Sequence, residues 1–370
     1  MLAYKIMNLS KSIDFLLENG GDVIRYRLHK EILKDISKRE EAALIEKVMQ
    51  TPYYRLIESY VKPNGYIGYG MHSWENFGSF HKETPLQDGE YAARLLSNYA
   101  IPKDTPIVKN FVAALRDDKV LESEFSYINP EIVRFRNRYI AYGCGFAFME
   151  LVNTCQALLG YGDDEEIRPY LDIAYRAFES VLHIRSLEEI GLKRNQKWVY
   201  VEPNILFPCQ YHLEALAHTK SWRSKEKIET FVKSVNYHDK IMKEGDAFYI
   251  KIGNRFYAPY WAYREPFKPF DVNYSGQAGQ RKTLTHLAMI GGDRIDVVRK
   301  SIEALSKDGV LRLNFDTAYQ KRRYKAVNMK YPGPYSEIAL ETEHETDTKL
   351  WCELTFWAVQ LLSIVKSNDK

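Results

Sequence analysis

The feature that most constrains the fold is a helical hairpin that recurs along the chain. Each unit consists of an apolar helix, a short polar turn and an amphipathic helix, as in FMELVNTCQALLGY, GDDEE and IRPYLDIAYRAFESV. The turns centre on Ala100, Tyr161, Trp222 and Gly292, so successive units are spaced by 61, 61 and 70 residues. A pair of helices recurring at this spacing is typical of a repeat architecture.

The alternation of helix types predicts two layers. A helix that is apolar over most of its surface must be buried, whereas an amphipathic helix turns one face to water. Because strand-like alternation is nearly absent, we predict an all-α fold of about five to six hairpins in one domain over residues 1–370. Residues 1–62 then form an opening hairpin and a lead-in helix, and residues 63–370 form the remaining hairpins.

Four segments carry a resemblance to a known superfamily: LLENGGDVIRYRLHKEIL, LLGYGDDEEIRPYLDIAYRAF, PCQYHLEALAHTKSWRS and ALSKDGVLRLNF. With the hairpin spacing, they resemble bacterial members of the α/α-toroid superfamily, which includes terpenoid cyclases and protein prenyltransferases. The resemblance extends from about residue 13 to residue 365. It implies a double-layered barrel of helical hairpins around a central cavity that holds a bulky apolar or isoprenoid-like small molecule.

The catalytic signatures of that superfamily are not matched. The nearest string to the Asp-x-Asp-Asp motif of the cyclases begins with Gly162 and Asp163 in a short turn, where acidic residues suit the start of a helix. The Asp-x-Cys pair that holds zinc in prenyltransferases is absent from the sequence. Cys209 and His212 stand three residues apart and are candidate metal ligands, the alternative being a buried thiol beside a hydrogen-bonded imidazole. The sequence assigns no cofactor.

The aromatic residues concentrate in the long returns between hairpins. The chain has 27 Tyr, and many of them fall in returns such as FYIKIGNRFYAPYWAYREPFKPFDVNY. These returns share one end of a ring of hairpins, so we expect a cavity that opens among aromatic side chains there. The alternative is that the rings only pack the long loops onto the barrel.

Candidate site residues follow from these returns. His72, Glu75 and Asp271 are candidate catalytic acids or bases, since an imidazole or carboxylate near a large ring can exchange protons. Side chains that stack on a ligand or hold its anionic group are the candidate substrate-binding residues, namely Trp74, Tyr142, Tyr211, Tyr260, Trp261, Arg264 and Tyr274. The alternative for the charged residues is that they are solvated loop charges.

Composition excludes several classes of protein. With 52 Lys and Arg against 49 Asp and Glu, the net charge of +3 gives little affinity for nucleic acid. No apolar run reaches the length of a membrane span. The four Cys lie far apart without a C-x-x-C pair, which is typical of reduced thiols and predicts a cytoplasmic protein.

Three functions remain open at the level of sequence. The first is an enzyme or binder of a bulky apolar or isoprenoid-like small molecule in the central cavity. The second is a carbohydrate-active toroid enzyme that uses carboxylates or His as acid and base. The third is a noncatalytic binding or scaffold protein. A small-molecule ligand is the expected partner, and a core filled with side chains would favour a scaffold. The sequence does not assign an oligomeric state.

Overall fold

The computed structural model describes residues 9–71, 88–125, 148–194, 197–201, 205–243, 248–252, 255–257, 267–270, 277–305, 340–341 and 346–368. Within these segments the protein is mostly helical, which confirms the predicted class at that level. The helices are α1 (Leu9–Asn19), α2 (Asp22–Arg27), α3 (Lys38–Met49), α4 (Pro52–Ser59), α5 (Gly89–Asn98), α6 (Pro106–Arg116), α7 (Asp118–Phe125), α8 (Phe148–Gln156), α9 (Arg168–Ser180), α10 (Gln210–Ala217), α11 (Lys225–Ile241), α12 (Gln277–Gly291), α13 (Asp296–Leu305) and α14 (Asp347–Asn368).

Local sequence signals set many of the helix ends. Helix α3 begins with a reciprocal capping box between Ser37 and Glu40, and the side chain of Asp88 accepts a hydrogen bond from the first turn of α5. Two helices are extended by a turn of π-helix, α2 by Leu28–Leu33 and α8 by Ala157–Tyr161. The second of these turns contains Gly160, whose φ of 87° is accessible mainly to glycine.

A sequence of neighbouring helices, which we call the helical circuit, is made of α2, α5, α8, α10, α12 and α14. Helix α5 packs against α8, α8 against α10, α10 against α12 and α12 against α14, and α14 packs against α1, α2 and the π turn after α2. The hydroxyl of Tyr26 in α2 donates to the carbonyl of Ala100 just after α5, at 3.1 Å. This bond links the beginning of the circuit to its second helix.

The remaining helices pack outside the circuit. Helix α9 contacts α10 and α11, while α13 contacts α12 and α14. Burial follows this order, because every residue of α10 is buried, whereas the 17 residues of α11 bury only Phe231, Ser234, Val235 and His238. The apolar first helix and amphipathic second helix of these hairpins therefore occupy an inner and an outer position.

The short turns of successive hairpins are tied to one another. One carboxylate oxygen of Asp163, in the turn after α8, accepts hydrogen bonds from the amides of Lys220 and Ser221 at 2.8 and 2.7 Å. Arg223 in that second turn donates to the carbonyl of Met289 in α12. The sequence predicts that Asp163 serves the start of its own helix, and this is wrong, because its carboxylate binds the turn of the following hairpin.

A small sheet departs from the all-α expectation. Strands β1 (Gly191–Arg194), β2 (Lys197–Tyr200), β3 (Phe248–Ile252) and β4 (Arg255–Tyr257) lie in the order β1-β2-β3-β4. The β1–β2 and β3–β4 pairs are antiparallel and β2–β3 is parallel, with Trp198 opposite Phe248. Each strand has at most five residues, which is too short for a period-two pattern to stand out in the sequence.

The sheet carries its own aromatic core. The rings of Tyr200 and Phe248 stack with centroids 4.7 Å apart, and Phe207 lies 5.4 Å from Phe248. Trp198 completes this buried group. In these two returns the described aromatic side chains pack against one another, as the alternative interpretation of the aromatic returns proposes.

None of the helices that the structure describes combines the length and apolar character needed to cross a membrane.

Replacing Asp163 by Ala should weaken the link between two hairpin turns. The two amides that donate to its carboxylate would then donate to water instead. We therefore expect the free energy of unfolding to fall by about 1 kcal/mol. Urea denaturation followed by circular dichroism measures this change. Asp172→Ala, at an exposed position of α9, is the matched control and should change the unfolding free energy by less than about 0.5 kcal/mol. Equal effects of the two variants would contradict the assigned link.

Candidate functional site

A cavity of about 580 Å³ lies among the inner helices, at the end that carries the short turns. Its volume is within the range of small-molecule sites. Both π turns contribute to the wall, together with α12, α14 and the segment after α5. The sequence analysis predicts a cavity mouth at the opposite end, among the long returns. Those returns lie largely outside the described residues, so that mouth stays a prediction.

The wall of the cavity has an apolar and a charged portion. The apolar side chains come from several helices and are Ile32, Ile101, Leu158, Leu159, Met289, Leu340, Phe356, Trp357 and Ile364. The charged residues are five cations, Arg27, Lys30, Lys103, Arg281 and Lys282, and two carboxylates, Glu31 and Glu353. An anionic molecule with an apolar body matches this combination.

Helix α12 supplies four of the polar residues in the cavity wall. Arg281, Lys282, Thr285 and His286 stand at i, i+1, i+4 and i+5, so they form two adjacent rows on one side of the helix. The indole of Trp357 donates to the hydroxyl of Thr285 at 3.0 Å and to the carbonyl of Arg281 at 3.2 Å. These bonds fix α12 against α14 beside the cavity.

Behind this wall lies a buried group of charges, which we call the ion cluster: Glu90, Arg94, Glu214 and Lys282. Arg94 lies 2.6 Å from a carboxylate oxygen of Glu90 and 2.7 Å from one of Glu214, and Lys282 pairs with the other oxygen of Glu214. Glu90 and Glu214 have no exposed surface. The cluster joins α5, α10 and α12, and through Lys282 it reaches the cavity.

The charges of the ion cluster are strongly coupled. Burial alone would raise the pKa of Glu214, but Arg94 and Lys282 outweigh it and hold that pKa well below its usual range. Burial lowers the pKa of Lys282 to about 8, with Arg94 acting in the same direction and Glu214 against it. Lys282 therefore carries most of its positive charge at neutral pH.

Two imidazoles border the cavity beside the ion cluster. The Nε2 atoms of His218 and His286 lie 3.3 Å apart, with the rings nearly perpendicular. Burial lowers the pKa of His218 to about 4 and the pKa of His286 well below its usual range. Both rings are therefore neutral at pH 7, and one donates a hydrogen bond to the other.

A second group of chemically active side chains lies at the other ends of the inner helices. Glu150 in the first turn of α8, Cys209 just before α10 and His212 in the first turn of α10 place their ligand atoms within 4.8 Å of one another. We call these three residues the thiol cluster. His212 Nε2 lies 3.4 Å from a carboxylate oxygen of Glu150, and all three side chains are buried. Burial raises the pKa of the Cys209 thiol.

The structure thus brings together the predicted pair Cys209 and His212 and adds Glu150, which the sequence analysis missed. The available signal was a single carboxylate in the otherwise apolar inner helix FMELVNTC. Its partners are 59 and 62 residues away in the sequence, on the next inner helix, so no local pattern reveals the contact.

Tyr211 is the remaining predicted site residue within the described segments. Its hydroxyl contacts Glu90 of the ion cluster at 3.5 Å, its side chain is buried, and it is not part of the cavity wall. It does not line this cavity, and its predicted contact with a substrate stays a prediction. The other candidates lie outside the described residues and stay predictions: His72, Trp74, Glu75, Tyr142, Tyr260, Trp261, Arg264, Asp271 and Tyr274.

Comparison with protein-family models, with curated proteins and with solved structures finds no match for this chain. The resemblance to the α/α-toroid superfamily is therefore carried by the sequence segments quoted above.

Replacing Glu214 by Gln should destabilise the protein strongly. The change leaves the positive charges of Arg94 and Lys282 buried with Glu90 as their remaining carboxylate, at a cost of about 3–5 kcal/mol in the free energy of unfolding. Glu165→Gln, in the solvent-exposed pair with Arg168, is the control and should cost less than about 1 kcal/mol. Urea denaturation of both variants measures the difference, and a small loss for Glu214→Gln would contradict the role of the cluster.

The histidine pair should make the protein less stable in mild acid. Because the folded-state pKa of His218 is about 4 and its unfolded value is 6.5, the unfolded chain binds more protons between these values. The contribution of His218 to the free energy of unfolding is present in full above its unfolded pKa of 6.5 and is lost as the pH drops toward 4. The loss is about 2 kcal/mol between pH 7 and pH 5. Urea denaturation across this range measures the slope. A His218→Asn, His286→Asn double variant should flatten it, and an unchanged slope would contradict the prediction.

Proposed function

We propose that the protein is an α/α toroid whose central cavity binds a small molecule with a bulky apolar body and an anionic group. Isoprenoid diphosphates belong to this chemical class. The observation that carries the proposal is the cavity of about 580 Å³ with five cations and two carboxylates in an otherwise largely apolar wall.

The helical circuit supports the toroid. Its inner helices contact one another in chain order, and α14 returns to α1 and α2. The outer helices alternate with them along the chain. An open array of hairpins would leave its first and last helices without a common contact.

The charge of the wall supports an anionic ligand. Arg27 forms a bidentate ion pair with Glu31, at 2.7 and 2.9 Å, which balances one cation against one carboxylate. The other four cations of the wall are Lys30, Lys103, Arg281 and Lys282, with Glu353 as the second carboxylate. Lys30 also pairs with Glu41 at 3.2 Å and Lys282 with Glu214, both outside the wall. The apolar side chains next to them match the body of an amphipathic molecule.

The two alternative functions receive less support. A scaffold protein needs no small-molecule cavity, whereas one of about 580 Å³ is present here. A glycosidase mechanism needs two carboxylates that are available for acid and base catalysis. Within the described wall, Glu31 is bound to Arg27 and Gln360, and Glu353 accepts a hydrogen bond from the amide of Glu341.

We also propose a cytoplasmic location. Cys155, Cys209 and Cys352 are free thiols, and reduced cysteines are typical of proteins in that compartment.

The proposal is tested by calorimetric titration with three probes: farnesyl diphosphate, farnesol and inorganic pyrophosphate. Farnesyl diphosphate should bind at least about tenfold more tightly than farnesol, because its diphosphate gains charge-assisted hydrogen bonds, and more tightly than pyrophosphate, because its chain covers the apolar wall. Ser363→Trp places a large side chain into the cavity wall and should abolish binding.

Ser367→Trp is the matched control, since Ser367 is exposed one turn further along α14 and lies outside the cavity wall. This variant should bind farnesyl diphosphate as the wild type does. Equal affinity for farnesyl diphosphate and farnesol would contradict the anionic site. Undiminished binding by Ser363→Trp would show that the ligand occupies another place.

A further inference from the structure

The thiol cluster contains buried polar atoms that have no hydrogen-bond partner within the described residues. Neither carboxylate oxygen of Glu150 receives a hydrogen bond there, and the same holds for Nε2 of His212. The nearby hydroxyl of Thr154 is engaged with Tyr170 and with the carbonyl of Tyr211. A buried carboxylate without hydrogen bonds is costly, so its presence calls for a positive partner.

The distance between the two unsatisfied groups indicates what that partner is. His212 Nε2 and the Glu150 oxygen lie 3.4 Å apart, which is longer than a charge-assisted hydrogen bond of about 2.7–2.9 Å. Two ligands bound tetrahedrally to zinc at about 2.0–2.1 Å are separated by roughly 3.4 Å. The spacing is that of two ligands of one ion, and it also lies within ion-pair distance, so the metal content of the protein decides between the two arrangements.

We infer that Glu150, Cys209 and His212 supply three of the ligands of a zinc ion. Thiolate, imidazole and carboxylate are the three side-chain types that zinc accepts, and a thiolate disfavours magnesium and calcium. The site is independent of the molecule that occupies the cavity.

The charges balance when the ion enters. Zinc displaces the proton of the Cys209 thiol, which leaves the protein as H⁺, and the resulting thiolate and the Glu150 carboxylate together neutralise the two charges of Zn²⁺. His212 binds as a neutral imidazole through Nε2, so its ring proton resides on Nδ1. The contact between Nδ1 and the amide of Cys209, which is long at 3.3 Å, is given up in exchange.

The ligands of the site lie on two helices that pack on each other. Glu150 belongs to α8, and Cys209 and His212 to the start of α10, two inner helices that pack directly on each other. The side chains of His212 and Cys209 have no exposed surface, and that of Glu150 is 1% exposed. Because the two helices fix the ligand positions, the site favours metal ions that adopt one coordination geometry.

The test is the metal content of untagged protein, together with cobalt substitution. Mass spectrometry should find close to one zinc ion per wild-type chain. Protein stripped with a chelator and titrated with Co²⁺ should show a thiolate-to-cobalt charge-transfer band in the near ultraviolet and the intense visible bands of tetrahedral cobalt. Cys209→Ser should lose the charge-transfer band and most of the zinc.

Cys155→Ser is the matched control, because Cys155 is another buried free thiol, in the same helix as Glu150. It should retain the zinc and the band. Circular dichroism checks that each variant is folded, and if Cys209→Ser is not, Glu150→Gln and the cobalt titration of the wild type decide the question. A wild type that binds neither metal, or a charge-transfer band that survives in Cys209→Ser, would overturn the inference.

Discussion

The double ion pair of Arg94 is the interaction on which the arrangement of the inner helices depends. One guanidinium contacts carboxylates of its own helix and of α10, and Lys282 of α12 completes the group. Buried charges are tolerated only when each meets its counterpart, so these ion pairs constrain how the three helices lie against one another. Packing of apolar side chains alone would permit small rotations or shifts of one helix against the next.

The same group of charges shapes the surroundings of the cavity. Lys282 is shared between the ion cluster and the wall, and its positive charge helps to keep His286 neutral. The cavity also lies near the carboxyl ends of several inner helices, where carbonyl groups attract cations. Lys30 donates to the carbonyl of Ala100, and Arg223 to those of Leu216 and Ala217. Part of the positive charge at this end of the inner helices therefore stabilises the helix ends.

The hairpins could be predicted from the sequence because their signals are local. Helical periodicity and the glycines at the turns are encoded within a few residues, and Gly292 does adopt a positive φ of 61° in its turn. The contacts that create the sites are not local. Glu90 and Arg94 lie in a helix whose sequence is mainly apolar. Their partner Glu214 is 120 residues beyond Arg94. Glu150 meets Cys209 and His212 only because α8 and α10 are neighbours in the circuit.

The small sheet shows a second limit of pattern analysis. Its strands are formed by segments of three to five residues, and the aromatic side chains of Trp198 and Phe248 serve the sheet's own core. Composition identified these returns as unusual, but it did not distinguish rings that bind a ligand from rings that bury one another. That distinction depends on which ring faces which, and this is decided by strand register.

The contact between α1 and α14 has a consequence for how the molecule comes apart. Lys349 donates to the carbonyl of Asn19 and pairs with Glu341, which in turn binds the amide of Gly21. In an open array of repeats, the outermost units have a single neighbour and fray first. Here α14 packs on α1 and α2, so the first and last helices hold each other and neither is left to fray alone.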